Sequence, residues 1–235
     1  MKASDCRILI VEDDVIFSEA LVYELRRKKF QVESVVNGEM AFDLFSKKTF
    51  DLVISDIIMP GGGGISLLQK IKMLQPETPV IMLMTGYSEI TIEQARSENA
   101  DAIFCKPLDR TSLLRIISLL LGLENLNVVT NEASPATTIK LFFQEIAHTF
   151  ESSVFRFVKN GLFLPIVQPF PQVHDIARIS FSSSSNTGVH EIIMSSNGVV
   201  KWIFFKEKSG AQAEIGVEFM RLTPEDEAKL ARLTT

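Results

Sequence analysis

Five polar residues of this 235-residue sequence stand where short apolar runs stop, the position at which α/β proteins place reactive groups. Glu12 and Asp13 follow Arg7-Ile-Leu-Ile-Val11, with Asp14 behind them, and Asp56 ends the run that contains Leu52, Val53 and Ile54. Thr85 follows Val80-Ile-Met-Leu-Met84, and Lys106 follows Ala102-Ile-Phe-Cys105. Two carboxylates about 4 Å apart repel by roughly 4 kcal/mol at an effective dielectric of about 20, so a cluster of Glu12, Asp13 and Asp56 calls for a cation. Hard oxygen ligands with room for water and phosphate oxygens suit Mg²⁺ better than softer metals. The Lys106 ammonium and the Thr85 hydroxyl could then hold the remaining oxygens of a phosphoryl group carried on Asp56.

The segments between these runs read as the helices that would position them. Val15 to Lys29 places Ile16, Ala20, Leu21 and Leu25 on one face and closes on a basic last turn. A short strand, 31–36, leads to a helix opening at Gly38, and further helices are expected over 65–75, 89–98 and 110–121. Five strand-helix units predict a doubly wound, five-stranded parallel sheet. The helix over 110–121 carries Leu113, Leu114, Ile116, Ile117, Leu119, Leu120 and Leu121, more apolar surface than one core stripe requires, which suggests a homodimer or a second domain against it. Pro60 and the glycines 61–64 break regular structure just after Asp56. No Lys-Ser/Thr follows them, so they are not read as a nucleotide loop.

The pattern changes after residue 123. Positions 124–138 are polar and aperiodic and read as a linker between a first domain, 1–123, and a second, 139–235. Ile139, Phe142, Phe143, Ile146, Ala147 and Phe150 have helical spacing and predict an amphipathic helix over 139–151. Short branched and aromatic runs follow, separated by turn chemistry such as Asn160-Gly161, Ser182 to Gly188, Asn197-Gly198 and Ser209-Gly210. They predict a small antiparallel β-barrel. Thr223-Pro-Glu-Asp226 opens a closing helix over 224–233.

Composition narrows the function. A formal charge of −5 opposes a polyanion-binding surface, and after residue 125 the 11 acidic and 10 basic residues nearly balance, so no DNA partner is expected. Cys6 and Cys105 are too few for a disulfide framework and fit a reducing, cytoplasmic setting. No apolar stretch is long enough to span a bilayer. His148, His174 and His190 lack ligand spacing. An enzyme using the acidic pocket as a phosphatase is an alternative, but nothing marks a second substrate site.

Residues 5–122 resemble the receiver domain of two-component response regulators, a flavodoxin-like fold. The resemblance rests on the acidic pair Glu12-Asp13, on Asp56, on Thr85 and on the Lys106-Pro107 pair. It implies a non-enzymatic switch phosphorylated on Asp56 by a histidine kinase or phosphotransfer protein. Mg²⁺ would be held by Glu12, Asp13, Asp56 and the backbone carbonyl of Ile58, and Thr85 and Lys106 would serve the phosphoryl group. The chain departs from the family in three places. Glycines 62 and 63 fill the middle of the loop after the acceptor, which predicts a flexible loop. Ile103 stands where an aromatic is usual, so the ring that answers Thr85 is missing. Ile58 and Tyr87 cannot position a hydrolytic water, so a slowly decaying phosphoryl group is expected.

The second half resembles PilZ domains, β-barrels that often sense cyclic di-GMP. Lys159-Asn-Gly-Leu-Phe-Leu164, Gly198-Val-Val-Lys-Trp202 and Ile215-Gly-Val-Glu-Phe-Met-Arg-Leu-Thr-Pro-Glu-Asp226 carry it. The family's Arg-x-x-x-Arg element is absent, since Arg156, Arg178, Arg221 and Arg232 are the only arginines after Asn125 and no two are four apart. Its Asp/Asn-x-Ser-x-x-Gly element keeps only Gly161. The resemblance therefore implies a degenerate module acting on an unidentified downstream protein, with cyclic di-GMP sensing as the alternative.

Overall fold

The structure, a computed structural model, describes residues 2–75, 79–86, 97–98, 100–107, 110–123, 131–132, 137–158, 161–173, 175–184, 190–205 and 212–233. The chain divides into two compact units, Met1–Val128 and Val129–Thr235.

In the first unit a parallel sheet runs in the order β2-β1-β3-β4-β5. Its strands are β1 (Arg7–Val11), β2 (Gln31–Val35), β3 (Leu52–Asp56), β4 (Val80–Thr85) and β5 (Ala102–Cys105). Ile8 to Val11, Leu52 to Ile54, Ile81 to Met84 and Ala102 to Cys105 are all buried, as a sheet covered on both faces requires. Helices α1 (Val15–Arg27), α2 (Gly38–Phe45), α3 (Gly64–Leu74) and α4 (Arg110–Leu121) connect or follow these strands. Asp14 caps α1 by accepting the Phe17 N–H at 3.0 Å, and Asn37 caps α2 by accepting that of Met40 at 2.9 Å. The helix expected over 89–98 lies almost wholly outside the described residues. In α4, Leu113, Leu114, Ile116, Ile117 and Leu121 are buried and Leu119 and Leu120 half-buried.

The glycine run is held rather than loose. The Gly38 N–H donates to the Gly62 carbonyl at 3.0 Å and the Glu39 N–H to that of Gly61 at 3.3 Å. Gly61 and Gly62 have φ of 74° and 99°, and a Cβ on Gly63 would stand 2.6 Å from the Ile57 carbonyl. The expectation of a flexible loop is corrected: glycine is required here by left-handed backbone and close approach, and the loop is tied to the first turn of α2.

The second unit is mostly strand. It comprises β6 (Asn131–Glu132), β7 (Thr137–Phe143), β8 (His148–Ser152), β9 (Arg156–Val158), β10 (Gly161–Val167), β11 (Ile176–Ser184), β12 (His190–Phe205) and β13 (Gln212–Met220). The antiparallel path runs β8-β7-β11-β12-β13-β10-β9-β6, and β8 also meets β10, so the sheet curls back on itself.

Four expectations fail in this unit. The amphipathic helix over 139–151 is instead the β7-β8 hairpin, in which Thr137, Ile139, Leu141 and Phe143 point inward at period two. Residues 124–138, read as a linker, include β6 and the start of β7, the remainder lying outside the described residues. Asn197-Gly198 is not a turn but lies inside the 16-residue β12. Gly198 is glycine because a Cβ there would press on Val217 Cγ1 and Ile179 Cδ1. Likewise Ser182 to Ser184 extend β11, and Ser182 is buried.

The unit closes on α5 (Pro224–Leu233). Thr223 and Asp226 cap it reciprocally: the Asp226 carboxylate accepts the Thr223 N–H at 3.0 Å, and the Thr223 hydroxyl accepts the Asp226 N–H at 3.1 Å. The Thr223 hydroxyl also donates to the Asp226 carboxylate at 2.7 Å, and this bond, with the Thr223 N–H bond second, holds the Asp226 carboxyl below its ordinary value.

Candidate acidic site at the strand ends

Parallel register brings the predicted residues to one edge of the sheet. Val11 pairs with Ser55, Asp56 with Met84 and Thr85 with Cys105, so Glu12, Asp56, Thr85 and Lys106 emerge side by side. The Glu12 N–H donates to the Val35 carbonyl at 3.1 Å, and the Lys106 N–H to that of Thr85 at 2.7 Å, fixing the backbone where the strands end.

Lys106 Nζ donates to Glu12 Oε2 at 2.7 Å and to Asp56 Oδ2 at 2.6 Å. Asp56 Oδ1 accepts the Ile57 N–H at 2.8 Å, and Glu12 Oε1 the Asp14 N–H at 3.3 Å. Glu12 is 1% exposed and the Asp56 side chain 13%. Burial pushes the Glu12 carboxyl above its ordinary value, against the opposing pull of Lys106, and the Asp56 charge adds to the rise. For Lys106, burial acts to lower the ammonium's pKa, but the bonds to Asp56 and Glu12 outweigh it and the net direction is upward.

Carboxylate oxygens of Glu12, Asp13 and Asp56 lie within 4.8 Å of one another, close enough to share one cation. Glu12 and Asp56 share the one Lys106 ammonium, while Asp13 is exposed. This all-oxygen donor set fits a small hard divalent ion. Thr85 is fully buried. Ile58, whose backbone carbonyl the resemblance offers as a further ligand, has its side chain 61% exposed, and Tyr87 lies outside the described residues. Ile103 is fully buried in β5, as is Phe104 beside it.

One neighbour was not apparent from the sequence. The Phe17 ring centroid stands 4.8 Å from Lys106 Nζ. The only signal for it is an aromatic in the first turn of the helix behind the acidic triplet.

The profile of the response regulator receiver domain family matches residues 8–118. Among curated proteins, the chain is 29% identical over 157 residues to the "Probable transcriptional regulator ycf29" of Porphyra purpurea, covering 66% of this chain and 75% of that one. It is 34% identical over 119 residues to the response regulator protein PilR of Pseudomonas aeruginosa, covering 51% of this chain but 27% of PilR. Among solved structures, a CheY-like receiver domain protein from Methanospirillum hungatei is 28% identical, with a TM-score of 0.47 over 50% of this chain and 94% of that one. Among the described residues no helix is long and apolar enough to cross a membrane. With the family profile spanning β1 to α4 and every strand end of the acidic edge, the first unit of the chain is a response regulator receiver domain.

Proposed function

We propose that Asp56 is the phosphoacceptor of a two-component switch whose output runs through the second unit. The observation that carries this is the single ammonium of Lys106 held against both Glu12 and Asp56, at 2.7 and 2.6 Å, beside the exposed Asp13. An Asp56 carboxylate oxygen would form a bond to phosphorus as the P–N bond of a phosphohistidine donor, or the P–O bond of acetyl phosphate, breaks. The electron pair leaves with the imidazole or the acetate. Mg²⁺, held by Glu12, Asp13, Asp56 and the Ile58 carbonyl, would neutralise charge on the transferring group when bound. Lys106 would stabilise the charge developing on the phosphoryl oxygens, and the Thr85 hydroxyl would donate a hydrogen bond to one of them in the product. Cys6 and Cys105, buried and not joined in a disulfide, suit a reducing cytoplasm.

The test is incubation of the full chain with acetyl phosphate and Mg²⁺, followed by intact mass and borohydride trapping of the acyl phosphate. One phosphoryl group per chain, trapped at Asp56 and dependent on Mg²⁺, is expected. Turnover of an exogenous phosphate ester without a stable adduct would favour the phosphatase reading instead.

The second unit is proposed to be a degenerate PilZ-like barrel that acts by protein contact. Its curled antiparallel path and its closing helix support this reading. Without paired arginines a ligand with two phosphates and two guanines loses several charged hydrogen bonds, each worth about 1.5 to 3 kcal/mol. That moves a micromolar site beyond millimolar. Isothermal titration of the full chain with cyclic di-GMP is expected to give no saturable heat, and a Kd below about 10 µM would overturn the degenerate reading.

A further inference from the structure

If Asp56 is phosphorylated as proposed above, Lys106 faces a difficulty. The two carboxylates that hold its ammonium are also candidate cation ligands, so a bound cation would compete with Lys106 for their charge. A contact that is not a carboxylate would hold the ammonium beside Asp56 independently of that competition.

We propose that Phe17 is a positioning residue for phosphoryl transfer, its ring forming the third side of the cage around Lys106. The ring centroid lies 4.8 Å from Nζ, within the distance at which the negative face of an aromatic ring attracts a cation. The backbone that carries the ring is held in place. Phe17 sits in the first turn of α1, its N–H held by the Asp14 carboxylate at 3.0 Å, and it is half-buried. The Lys106 side chain is only 22% exposed, so the attraction acts in a partly dehydrated setting where it is strongest.

A ring differs from a carboxylate in what it does when the cation arrives. It carries no net charge for Mg²⁺ to claim, so its pull on the ammonium would persist whether or not a cation is bound. Nor does it add a fourth acid to a pocket that already holds three. A leucine of similar bulk would cover the ammonium but not attract it, which makes the electrostatic part of the role separable from packing.

The experiment uses the full chain, acetyl phosphate and Mg²⁺, with phosphorylation followed by intact mass. Phe17→Leu is expected to slow phosphorylation about fivefold, the size of one partly desolvated cation–π contact. Phe17→Tyr should restore most of the rate, and phenylalanines of rising fluorine content at position 17 should slow it stepwise while leaving the shape nearly constant. Half-saturation by Mg²⁺ should move much less than the rate. Equal rates for wild type and Phe17→Leu would overturn the proposal, as would equal slowing by Leu, Tyr and the fluorinated rings. A second readout needs no phosphorylation: with labelled lysine, the ε-methylene signal of Lys106 should be shifted upfield by the ring and lose that shift in Phe17→Leu. An absent adduct on wild-type Asp56 would sink the phosphoacceptor reading, whereas an unshifted Lys106 signal sinks the Phe17 contact.

Discussion

Asp56→Asn is expected to take up no phosphoryl group from acetyl phosphate and Mg²⁺ under conditions that label the wild type fully. An amide has the carboxylate's shape but does not form the acyl phosphate. Its remaining oxygen can still accept the Ile57 N–H, which Asp56 Oδ1 now accepts at 2.8 Å. Lys106 keeps Glu12 at 2.7 Å, and Glu12 is relieved of the neighbouring charge that raises its pKa, so the net change in stability should stay within about 1 kcal/mol. Labelling of Asp56→Asn at wild-type stoichiometry would remove Asp56 as the acceptor. Lys106→Met keeps the nucleophile but withdraws the preorganised cation, which should slow labelling by about 10²- to 10³-fold. It also has a signature in pH. The Lys106 pKa is raised above the ordinary 10.5 in the folded state, so its contribution to stability is complete below about that value and is lost as pH rises through the folded pKa. The stability difference between wild type and Lys106→Met should therefore shrink in the alkaline range, and also in acid as Glu12 and Asp56 take up protons.

The acidic site was legible because parallel strands are buried on both faces. Each reads as an apolar run, and the residue at which the run stops is the residue at the sheet edge. Glu12, Asp56 and Lys106 announce themselves in this way, whereas Phe17 has only its place in a helix turn, and its contact depends on where Lys106 arrives. The hairpin over 139–151 was missed for a different reason. Its apolar residues satisfy period two and period 3.6 together, and its turn, 144–147, contains no glycine, asparagine or proline. Ala147 takes the left-handed conformation instead, at φ 47°. At Asn197-Gly198 the turn signal was genuine chemistry overridden by packing: β11 and β13 approach β12 too closely for any side chain there.

Gly216→Ala should be among the most damaging single-methyl additions in the second unit. Gly216 is the cross-strand partner of Trp202, which follows the bulge in β12 and is 0% exposed. A Cβ on Gly216 would fall against Nε1, Cε2 and Cδ1 of the indole, inside its van der Waals surface. The ring cannot yield easily, because Phe163 packs against it with centroids 5.1 Å apart. Overpacking of this kind costs about 3 kcal/mol, with strand backbone shifts adding to it. Trp202 is the sole tryptophan of the chain, so its fluorescence reports on this unit alone during urea unfolding. A loss under about 1 kcal/mol would mean that the indole has room to move. In the double variant with Trp202→Leu the new methyl enters vacated space, and the combined loss should be smaller than the sum of the two.

The tie between the glycine run and α2 also governs how this loop ages. Asparagine followed by glycine is the sequence at which a polypeptide most readily closes a succinimide ring, and it does so when the glycine nitrogen swings onto the asparagine side-chain carbon. At Asn37-Gly38 both partners are engaged: the Gly38 N–H donates to the Gly62 carbonyl, and the Asn37 side-chain oxygen accepts the N–H of Met40. Asn197-Gly198 is immobilised by pairing on both sides of β12. Isoaspartate at position 37 would therefore accumulate only as fast as the loop behind Asp56 lets go of the helix, which makes a slow chemical lesion a clock for the opening of the acceptor loop.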